Sequence, residues 1–115
     1  MAYSIAVSST KESDEIFILS AAPLMLGRAD TCDIVINDPY VSSRHIEFWE
    51  DEDENPFVRD MNSTNGTSRN GKELNAGDPV LLLNGDRIEL AEGKVVILVA
   101  KGFPTAILPS TQSKT

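Results

Sequence analysis

Short runs of apolar and β-branched residues recur along most of this chain, and turn-forming residues separate them. The runs that carry the strand pattern are Tyr3–Val7, Ile16–Leu19, Leu24–Leu26, Ile34–Ile36, His45–Trp49, Phe57–Arg59, Val80–Leu83, Arg87–Leu90 and Lys94–Val99. No window shows the sustained i, i+3, i+4, i+7 apolar spacing of an amphipathic helix. Turn signals such as Asn65-Gly66, Asn70-Gly71 and Asn84-Gly85 lie between the runs. The pattern predicts an all-β fold, a sandwich of two antiparallel sheets joined by short turns.

Size and composition limit the number of domains and the kinds of partner. The chain has 115 residues, of which 41% are hydrophobic, and this suits a single domain with its own core. A net charge of −8 repels nucleic acid and anionic membranes, so neither is an expected partner. No targeting or membrane-spanning segment is apparent, and the single cysteine, Cys32, fits a reducing, cytoplasmic location. With one cysteine and one histidine, the chain is predicted to hold no metal or other cofactor.

Two polar stretches fall outside the strand pattern. Residues 103–115 contain two prolines and several Ser and Thr residues, so we expect a domain over residues 1–102 followed by a flexible tail or linker. Glu50–Glu54 is an unbroken acidic run between two strand runs, which predicts a solvated loop. Weak calcium binding there is an alternative, although the run lacks the spaced Asp-x-Asp-x-Asn-Gly pattern of a preformed site.

Three turn clusters concentrate side chains that suit a phosphate. They are Gly27-Arg28, Ser42–His45 and Asp60–Thr67, each at the end of a strand run. Because the loops of a sandwich gather at its two ends, these clusters are expected to converge. The cations and neutral donors available in or near them are Arg28, Arg44, Arg69, Lys72, Ser42, Ser43, Thr64 and Asn65. Such a set suits a dianionic phosphate and the peptide that carries it.

The sequence resembles the forkhead-associated (FHA) domain family in four segments. In chain order these are Gly27-Arg28, Ser42-x-x-His45, Asp60-x-x-Ser63-x-Asn65-Gly66-Thr67-x-x-Asn70-Gly71 and Gly85-Asp86-x-Ile88-x-Leu90. Their order and separations match the family pattern from about Leu24 to Leu98. The resemblance implies an SMAD/FHA-like sandwich of about 11 strands that binds phosphothreonine peptides downstream of Ser/Thr kinases and is not an enzyme.

The resemblance also implies roles for the residues that match its motifs. Arg28 is expected to contact the phosphate or the adjacent peptide backbone. Ser42 matches the serine whose hydroxyl and backbone N–H hold a phosphate oxygen, and Thr64 matches a position that assists it. Asn65 matches the asparagine whose amide holds the peptide main chain, a task that needs both a donor and an acceptor.

The remaining candidates are two further contact residues and a group that supports the site. Ser43 stands where many family members have Lys, Arg or Asn, so one phosphate contact is expected to be weaker. Arg44 is either a helper of the site or a solvated charge. The residues expected to support the site are Gly27, His45, Asp60 and Gly66. In this group His45 orders the binding loops through internal hydrogen bonds, and the glycines meet backbone requirements.

Two other functions stay open, and so does the source of the ligand. Ser42, His45 and Asp60 are the residue types of a hydrolase triad, although no Gly-x-Ser-x-Gly elbow accompanies them. A sandwich that binds proteins without phosphate is the other alternative. The expected partner is a phosphothreonine protein or peptide, and the isolated domain is expected to be a monomer. The chain's own candidates for a phosphorylated segment are Thr10, Thr105, Thr111 and Thr115.

Overall fold

The computed structural model describes residues 2–10 and 14–102, which form eleven β-strands and no helix. The strands are β1 (Tyr3–Ser9), β2 (Glu15–Ile18), β3 (Leu24–Gly27), β4 (Ile34–Val35), β5 (Ile46–Glu50), β6 (Pro56–Asp60), β7 (Thr67–Arg69), β8 (Lys72–Glu73), β9 (Val80–Leu81), β10 (Arg87–Leu90) and β11 (Val95–Lys101). Within these residues, nothing has the helical length and apolar character needed to cross a membrane. The tail expected over residues 103–115 lies outside the described residues, so the domain boundary stays a prediction.

Two sheets pack against each other around one hydrophobic core. One sheet has the strand order β2-β1-β11-β10-β7-β8 and the other has the order β4-β3-β5-β6-β9. The core draws on both, since Ile5 and Ile97 of the first sheet and Leu26 and Phe48 of the second are fully buried and belong to one cluster. This arrangement confirms the predicted all-β sandwich.

Strand β5 shows how the sequence pattern produces this core. Its residues Ile46, Phe48 and Glu50 are buried, whereas Glu47 and Trp49 between them are only partly covered. Because successive side chains of a strand point to opposite faces, the apolar positions two residues apart all reach the core. On the opposite face of the sheet, the rings of Trp49 and Phe57 stack with their centroids 5.7 Å apart.

One strand pairing differs from the antiparallel arrangement that the sequence predicts. β3 and β4 run parallel, with Leu26 opposite Ile34 and Gly27 opposite Val35. The loop between these strands folds back along β3, where the Asp33 carboxylate accepts a hydrogen bond from Met25 N at 2.8 Å. The returning chain therefore enters β4 in the same direction as β3, and the prediction is wrong for this pair.

Strands β7 and β8 form a hairpin that the apolar pattern does not predict. Arg69 lies opposite Lys72, and the two residues between them, Asn70 and Gly71, have φ values of 52° and 88°. Two consecutive positive φ values are what a type I′ turn requires, so the turn predicted from Asn-Gly is confirmed. The strands escape detection because they are short, and both residues of β8 are exposed.

The acidic run Glu50–Glu54 is only partly the solvated loop that the sequence predicts. Asp51 begins a surface turn in which its Oδ1 accepts hydrogen bonds from Asp53 N and Asn55 N, both at 2.9 Å. Glu50, however, ends β5 and is only 6% exposed, and its Oε2 accepts a hydrogen bond from Tyr3 N at 2.8 Å. The prediction is wrong for Glu50, because the strand continues through it and turns its side chain inward.

The two ends of the described domain meet at one end of the sandwich. β1 and β11 pair along their whole length, from Tyr3 opposite Lys101 to Ser9 opposite Val95. Beyond the first of these pairs, Gly102 N donates a hydrogen bond to Ala2 O at 2.7 Å. Beyond the last, Thr10 N donates to Lys94 O at 3.2 Å. At the usual rise of a strand, the Ser9 end of β1 is therefore about 20 Å from its Tyr3 end.

Candidate functional site

Three loops meet through hydrogen bonds, and they contain the three turn clusters singled out in the sequence. They follow β3, precede β5 and join β6 to β7, and below they are called the site loops. Arg28 N, in the first loop, donates a hydrogen bond to Ser42 O in the second at 2.9 Å. Thr64 N, in the third loop, donates to Ser42 Oγ, also at 2.9 Å. Ser42 therefore lies at the junction of all three loops.

The buried imidazole of His45 holds two of the site loops together. Its Nδ1 accepts a hydrogen bond from Ser42 N at 3.0 Å, and its Nε2 lies 2.9 Å from Gly66 O. Since a backbone N–H only donates, Nδ1 carries no proton, and Nε2–H donates to the Gly66 carbonyl. Burial lowers the pKa of His45 below 6.5, and this outweighs the opposite effects of Gly66 O and the Asp60 carboxylate. His45 is thus a neutral bridge between loops.

The carboxylate of Asp60 organises the third site loop. It is almost fully buried and accepts hydrogen bonds from Ser63 N at 2.9 Å, Ser63 Oγ at 2.6 Å and Thr67 Oγ1 at 2.7 Å. Burial raises the pKa of Asp60, but these hydrogen bonds and the nearby His45 prevail and hold it below 3.8. The loop extends further through Ser63, whose Oγ accepts a hydrogen bond from Gly66 N at 3.1 Å. Asp60 is therefore a brace for the loop.

The hydroxyl of Ser42 is oriented by the loop that faces it. Because its Oγ accepts the Thr64 N–H, the hydroxyl proton remains to be donated to another acceptor. The backbone N–H of Ser42 is already donated to His45. Of the two donors that the family resemblance assigns to a phosphate, the hydroxyl is thus the one that the fold leaves for it. Thr64 itself is exposed at the surface.

The guanidinium of Arg28 is tied to the second site loop. Arg28 is exposed, and its Nε donates a hydrogen bond to Val41 O at 3.0 Å, next to the backbone contact with Ser42. Arginine has further N–H donors on its terminal nitrogens, and these form a planar fork that suits phosphate oxygens. The single bond through Nε fixes one edge of the side chain and leaves that fork for an anion.

Asn65 is anchored by one of its amide protons. Its Nδ2 donates a hydrogen bond to Tyr40 O at 2.9 Å, and the residue is otherwise exposed. Tyr40 is held in turn, because its N–H donates to Asp38 Oδ1 at 2.8 Å. The other amide proton and the carbonyl oxygen of Asn65 provide one donor and one acceptor, which is the pair that an extended peptide backbone needs.

Gly27 and Gly66 stand where a side chain would clash or be strained. A Cβ on Gly27 would lie 2.2 Å from Ser43 O, so no side chain fits there. That carbonyl also accepts a hydrogen bond from the thiol of Cys32, at 3.1 Å. Gly66 has a φ of +80°, and a Cβ on it would lie 2.5 Å from a carboxylate oxygen of Glu73. A side chain is therefore excluded at Gly27 by a backbone oxygen and is strained at Gly66 by the positive φ.

Three candidate cations lie apart from the contacts described above. Arg44 is exposed and lines a hollow with Met25, Thr31 and Cys32. Arg69 makes an ion pair with Asp86 at 2.9 Å. Burial raises the pKa of Asp86, but hydrogen bonds from Leu83, Asn70 and Arg69 have the larger, opposite effect. The pKa therefore lies below 3.8, and the carboxylate stays charged. Lys72 is exposed on β8, beside Arg69.

Tyr40 and Lys94 adjoin the site and were not among the residues predicted from the sequence. Tyr40 is bonded to Asn65 through its carbonyl, and Lys94 Nζ lies 4.3 Å from the centroid of the Tyr40 ring. Lys94 belongs to the turn before β11, in the other sheet, so its approach depends on tertiary packing. The sequence signals near these residues are the turn pattern Asn37-Asp38-Pro39 before Tyr40 and the strand run that Lys94 begins, and neither points to a site.

Ser42, His45 and Asp60 do not have the contacts of a catalytic triad. In a triad, one ring nitrogen bonds the nucleophilic hydroxyl and the other bonds the carboxylate. Here Nδ1 of His45 bonds a backbone N–H and Nε2 bonds the Gly66 carbonyl, while Asp60 bonds Ser63 and Thr67.

Over residues 2–10 and 14–102, no three His, Cys, Asp or Glu side chains are grouped so as to hold a metal ion.

Comparison with known proteins yields a consistent set of matches. The model of the family described as the FHA domain matches residues 24–91. The serine/threonine-protein kinase cds1 of Schizosaccharomyces pombe is 36% identical over 73 residues, which cover 58% of this chain and 16% of the kinase. The glycogen accumulation regulator GarA of Mycobacterium tuberculosis is 35% identical over 82 residues, which cover 71% of this chain and 48% of GarA. The chain thus spans half or less of the length of these curated relatives.

A solved structure agrees with these matches. The N-terminal FHA domain of Rad53p from Saccharomyces cerevisiae, in complex with a phosphothreonine peptide, is 25% identical to this chain. The two superpose with a TM-score of 0.71, and the match covers 85% of this chain and 93% of that one. The similarity extends well beyond the motif residues to the sandwich as a whole.

Proposed function

Because this chain belongs to the FHA domain family, we propose that it is a phosphothreonine-dependent peptide-binding module that acts in signalling downstream of Ser/Thr kinases. The observation that carries this proposal is the position of the Ser42 hydroxyl. The Ser42 hydroxyl accepts a hydrogen bond from Thr64 N, and the Ser42 carbonyl accepts one from Arg28 N. A hydroxyl donor and a guanidinium are thereby held on adjoining loops, as recognition of a dianion requires.

The phosphate would be held by Arg28 and Ser42, with the exposed hydroxyl of Thr64 as a further donor. Each hydrogen bond to a charged group contributes about 1.5–3 kcal/mol, and a few of them must offset an association cost of about 4–15 kcal/mol. Moderate, reversible affinity follows. The affinity falls as salt rises, because the phosphate and Arg28 are screened.

The peptide main chain would be held by Asn65, through the amide proton and carbonyl oxygen that its bond to Tyr40 O leaves available. Ser43 and Arg44 are exposed neighbours of Ser42, and we assign them contacts with the peptide that are weaker than those of Ser42. The carbonyl of Ser43 accepts a hydrogen bond from the Cys32 thiol. The hydroxyl of Ser43 is therefore the group that would contact a ligand.

FHA domains are phosphopeptide-binding modules, and the contacts of His45 favour that class over a hydrolase. A general base needs a nitrogen that can take a proton from the serine hydroxyl. Both ring nitrogens of His45 instead bond backbone groups of the site loops. The ring therefore maintains the shape of the site.

The partner would be a phosphothreonine protein of the cytoplasm, bound by a monomeric domain. One candidate segment of the chain itself is Thr10, which is exposed and donates its N–H to Lys94 O. The ammonium group of the same lysine lies over the Tyr40 ring. The other threonines named above, Thr105, Thr111 and Thr115, lie outside the described residues.

Fluorescence anisotropy with an oriented library of phosphothreonine peptides tests the proposal. Phosphoserine and unphosphorylated versions of the same peptides serve as references, and binding is expected only to the phosphothreonine form. Arg28→Ala should weaken binding by at least about tenfold, the loss of one charge-assisted hydrogen bond. Arg87→Ala is the matched control, because Arg87 is also exposed but pairs with Glu89 at the start of β10.

Two outcomes would overturn parts of this proposal. Equal binding of phosphorylated and unphosphorylated peptides would favour the phosphate-independent interaction sandwich. Unchanged affinity in a folded Arg28→Ala protein would remove Arg28 from the site. Circular dichroism of each variant establishes that the fold is intact.

A further inference from the structure

Tyr40 forms a fixed, partly exposed aromatic surface at the edge of the proposed peptide site. Its main chain is held on both sides, by Asp38 Oδ1 at its N–H and by Asn65 Nδ2 at its carbonyl. The residue is 40% exposed, so part of its side chain is open to a ligand. A peptide whose main chain is held by the amide of Asn65 therefore runs beside Tyr40.

Lys94 brings a positive charge to this surface from the other sheet. It ends the turn between β10 and β11, in which Lys94 N donates to Ala91 O at 3.1 Å. Its ammonium group lies 4.3 Å from the centroid of the Tyr40 ring, a cation–π distance that holds the flexible side chain in one region. An ammonium has three donors, and the ring face leaves most of them for an anionic group.

The charges around Lys94 show that its ammonium is available to a ligand. Within residues 2–10 and 14–102, the ion pairs engage Arg59, Arg69 and Arg87, and Lys94 takes no part in them. The neighbouring hollow is acidic, since Glu73, Glu89 and Glu92 line it together with Asn65 and Gly66. An acidic side chain is repelled there and is attracted to the ammonium group of Lys94.

We propose that Lys94, supported by the Tyr40 ring, is a specificity-determining residue that selects an aspartate or glutamate flanking the phosphothreonine. The inference rests on the proposed function, because it concerns a second contact of the same peptide. Binding of the phosphate sets whether a peptide is recognised at all. The contact with Lys94 sets which phosphothreonine peptides are preferred.

The test begins with a positional scan of a phosphothreonine peptide that binds the protein. Each flanking position carries aspartate, alanine or lysine in turn, and affinities are measured by anisotropy. We expect one position at which aspartate binds about 1.5-fold to fivefold more tightly than alanine, the usual range for an exposed ion pair. Lysine at that position should bind more weakly than alanine.

Variants of Lys94 assign the preference to this residue. Lys94→Ala should abolish the advantage of aspartate, Lys94→Arg should retain it, and Lys94→Glu should invert it so that the lysine peptide binds best. Lys101→Glu is the matched control, because it makes the same charge change at the far end of β11. That control should keep the wild-type preference, and thermal unfolding of all variants verifies their folds.

Several outcomes separate this inference from the proposed function. If no phosphothreonine peptide binds, the proposed function fails. If phosphothreonine peptides bind without any gain from aspartate, or if Lys94→Glu and Lys101→Glu change the preference equally, the role of Lys94 is refuted. A preference for lysine in the wild-type protein would also refute it, and would mean that the glutamates of the neighbouring hollow dominate.

Discussion

A Cβ atom on Gly27 would lie 2.2 Å from the carbonyl oxygen of Ser43, far inside van der Waals contact. We expect Gly27→Ala to reduce the free energy of unfolding by about 1–3 kcal/mol, the usual cost of overpacking. The second site loop must move to relieve the clash, so phosphopeptide affinity should fall as well. Urea unfolding and anisotropy on the same sample measure the two effects.

The outcome for Gly27→Ala distinguishes packing from contact. If stability falls but affinity per folded molecule does not, the loop adapts without disturbing Ser42. If neither changes, the carbonyl of Ser43 moves freely, and the close approach has no consequence for the site.

The two adjacent serines of the second site loop should respond very differently to removal of their hydroxyls. Ser42→Ala removes the acceptor of Thr64 N as well as the proposed phosphate donor, so we expect affinity to fall by about tenfold to a hundredfold. Ser43→Ala leaves the backbone carbonyl contact intact and should cost about threefold or less. Isothermal titration with one phosphothreonine peptide compares them, and equal losses would contradict the assigned roles.

Stability should depend on pH through His45, the only histidine in the chain. Its pKa is lowered in the folded protein, so the unfolded chain binds the proton more readily, and protonation favours unfolding. The free energy of unfolding should therefore be level above the unfolded pKa of 6.5 and decline as pH falls from there towards the lower folded pKa. Denaturant unfolding without peptide, from about pH 8 to pH 5, measures this decline.

His45→Gln provides the control for that pH dependence. The amide cannot titrate, so the variant should be less stable at neutral pH but nearly independent of pH over the same interval. Asp60 and Asp86 do not interfere, because their pKa values lie below 3.8. An equally steep decline in His45→Gln would show that another group is responsible.

Two glutamates of the same acidic run should differ in their contribution to stability. Glu50→Ala leaves Tyr3 N without its partner, and we expect a loss of about 1–3 kcal/mol in the free energy of unfolding. Glu52→Ala changes an exposed residue and should stay within about 0.5 kcal/mol of the wild type. Thermal or urea unfolding at neutral pH makes the comparison. A matching loss at Glu52 would point to an effect of charge rather than of the buried hydrogen bond.

The sheet architecture and the loop positions of the candidate site could be predicted from the sequence, because both depend on local patterns. Alternating apolar residues predict the strands, and Asn70-Gly71 predicts its hairpin turn through a backbone requirement that few other residues meet. The order of the four motif segments then predicts which loops meet. Each signal spans only a few residues, and the meeting of the loops follows from the way a sandwich gathers its loops at its ends.

Other features depend on contacts between distant segments and could not be predicted. Glu50 belongs to an acidic run, and only its proximity to Tyr3 across the sandwich explains its burial. Lys94 reaches Tyr40 from the opposite sheet. His45 and Ser42 are close in sequence, but the contact of the ring with the Ser42 N–H, rather than its hydroxyl, depends on the detailed shape of the loop.

Ala2 and Gly102 are hydrogen-bonded neighbours at the end of β1 and β11 that lies away from Thr10 and Lys94. A domain whose entry and exit points are this close can be grafted into a surface loop of a host protein without forcing the host's own chain apart. A graft through residues 2 and 102 would also carry the site loops about 20 Å clear of the host surface, the length of the two strands. The described residues can therefore be inserted through their two neighbouring ends, with the candidate site at the opposite end of the sandwich.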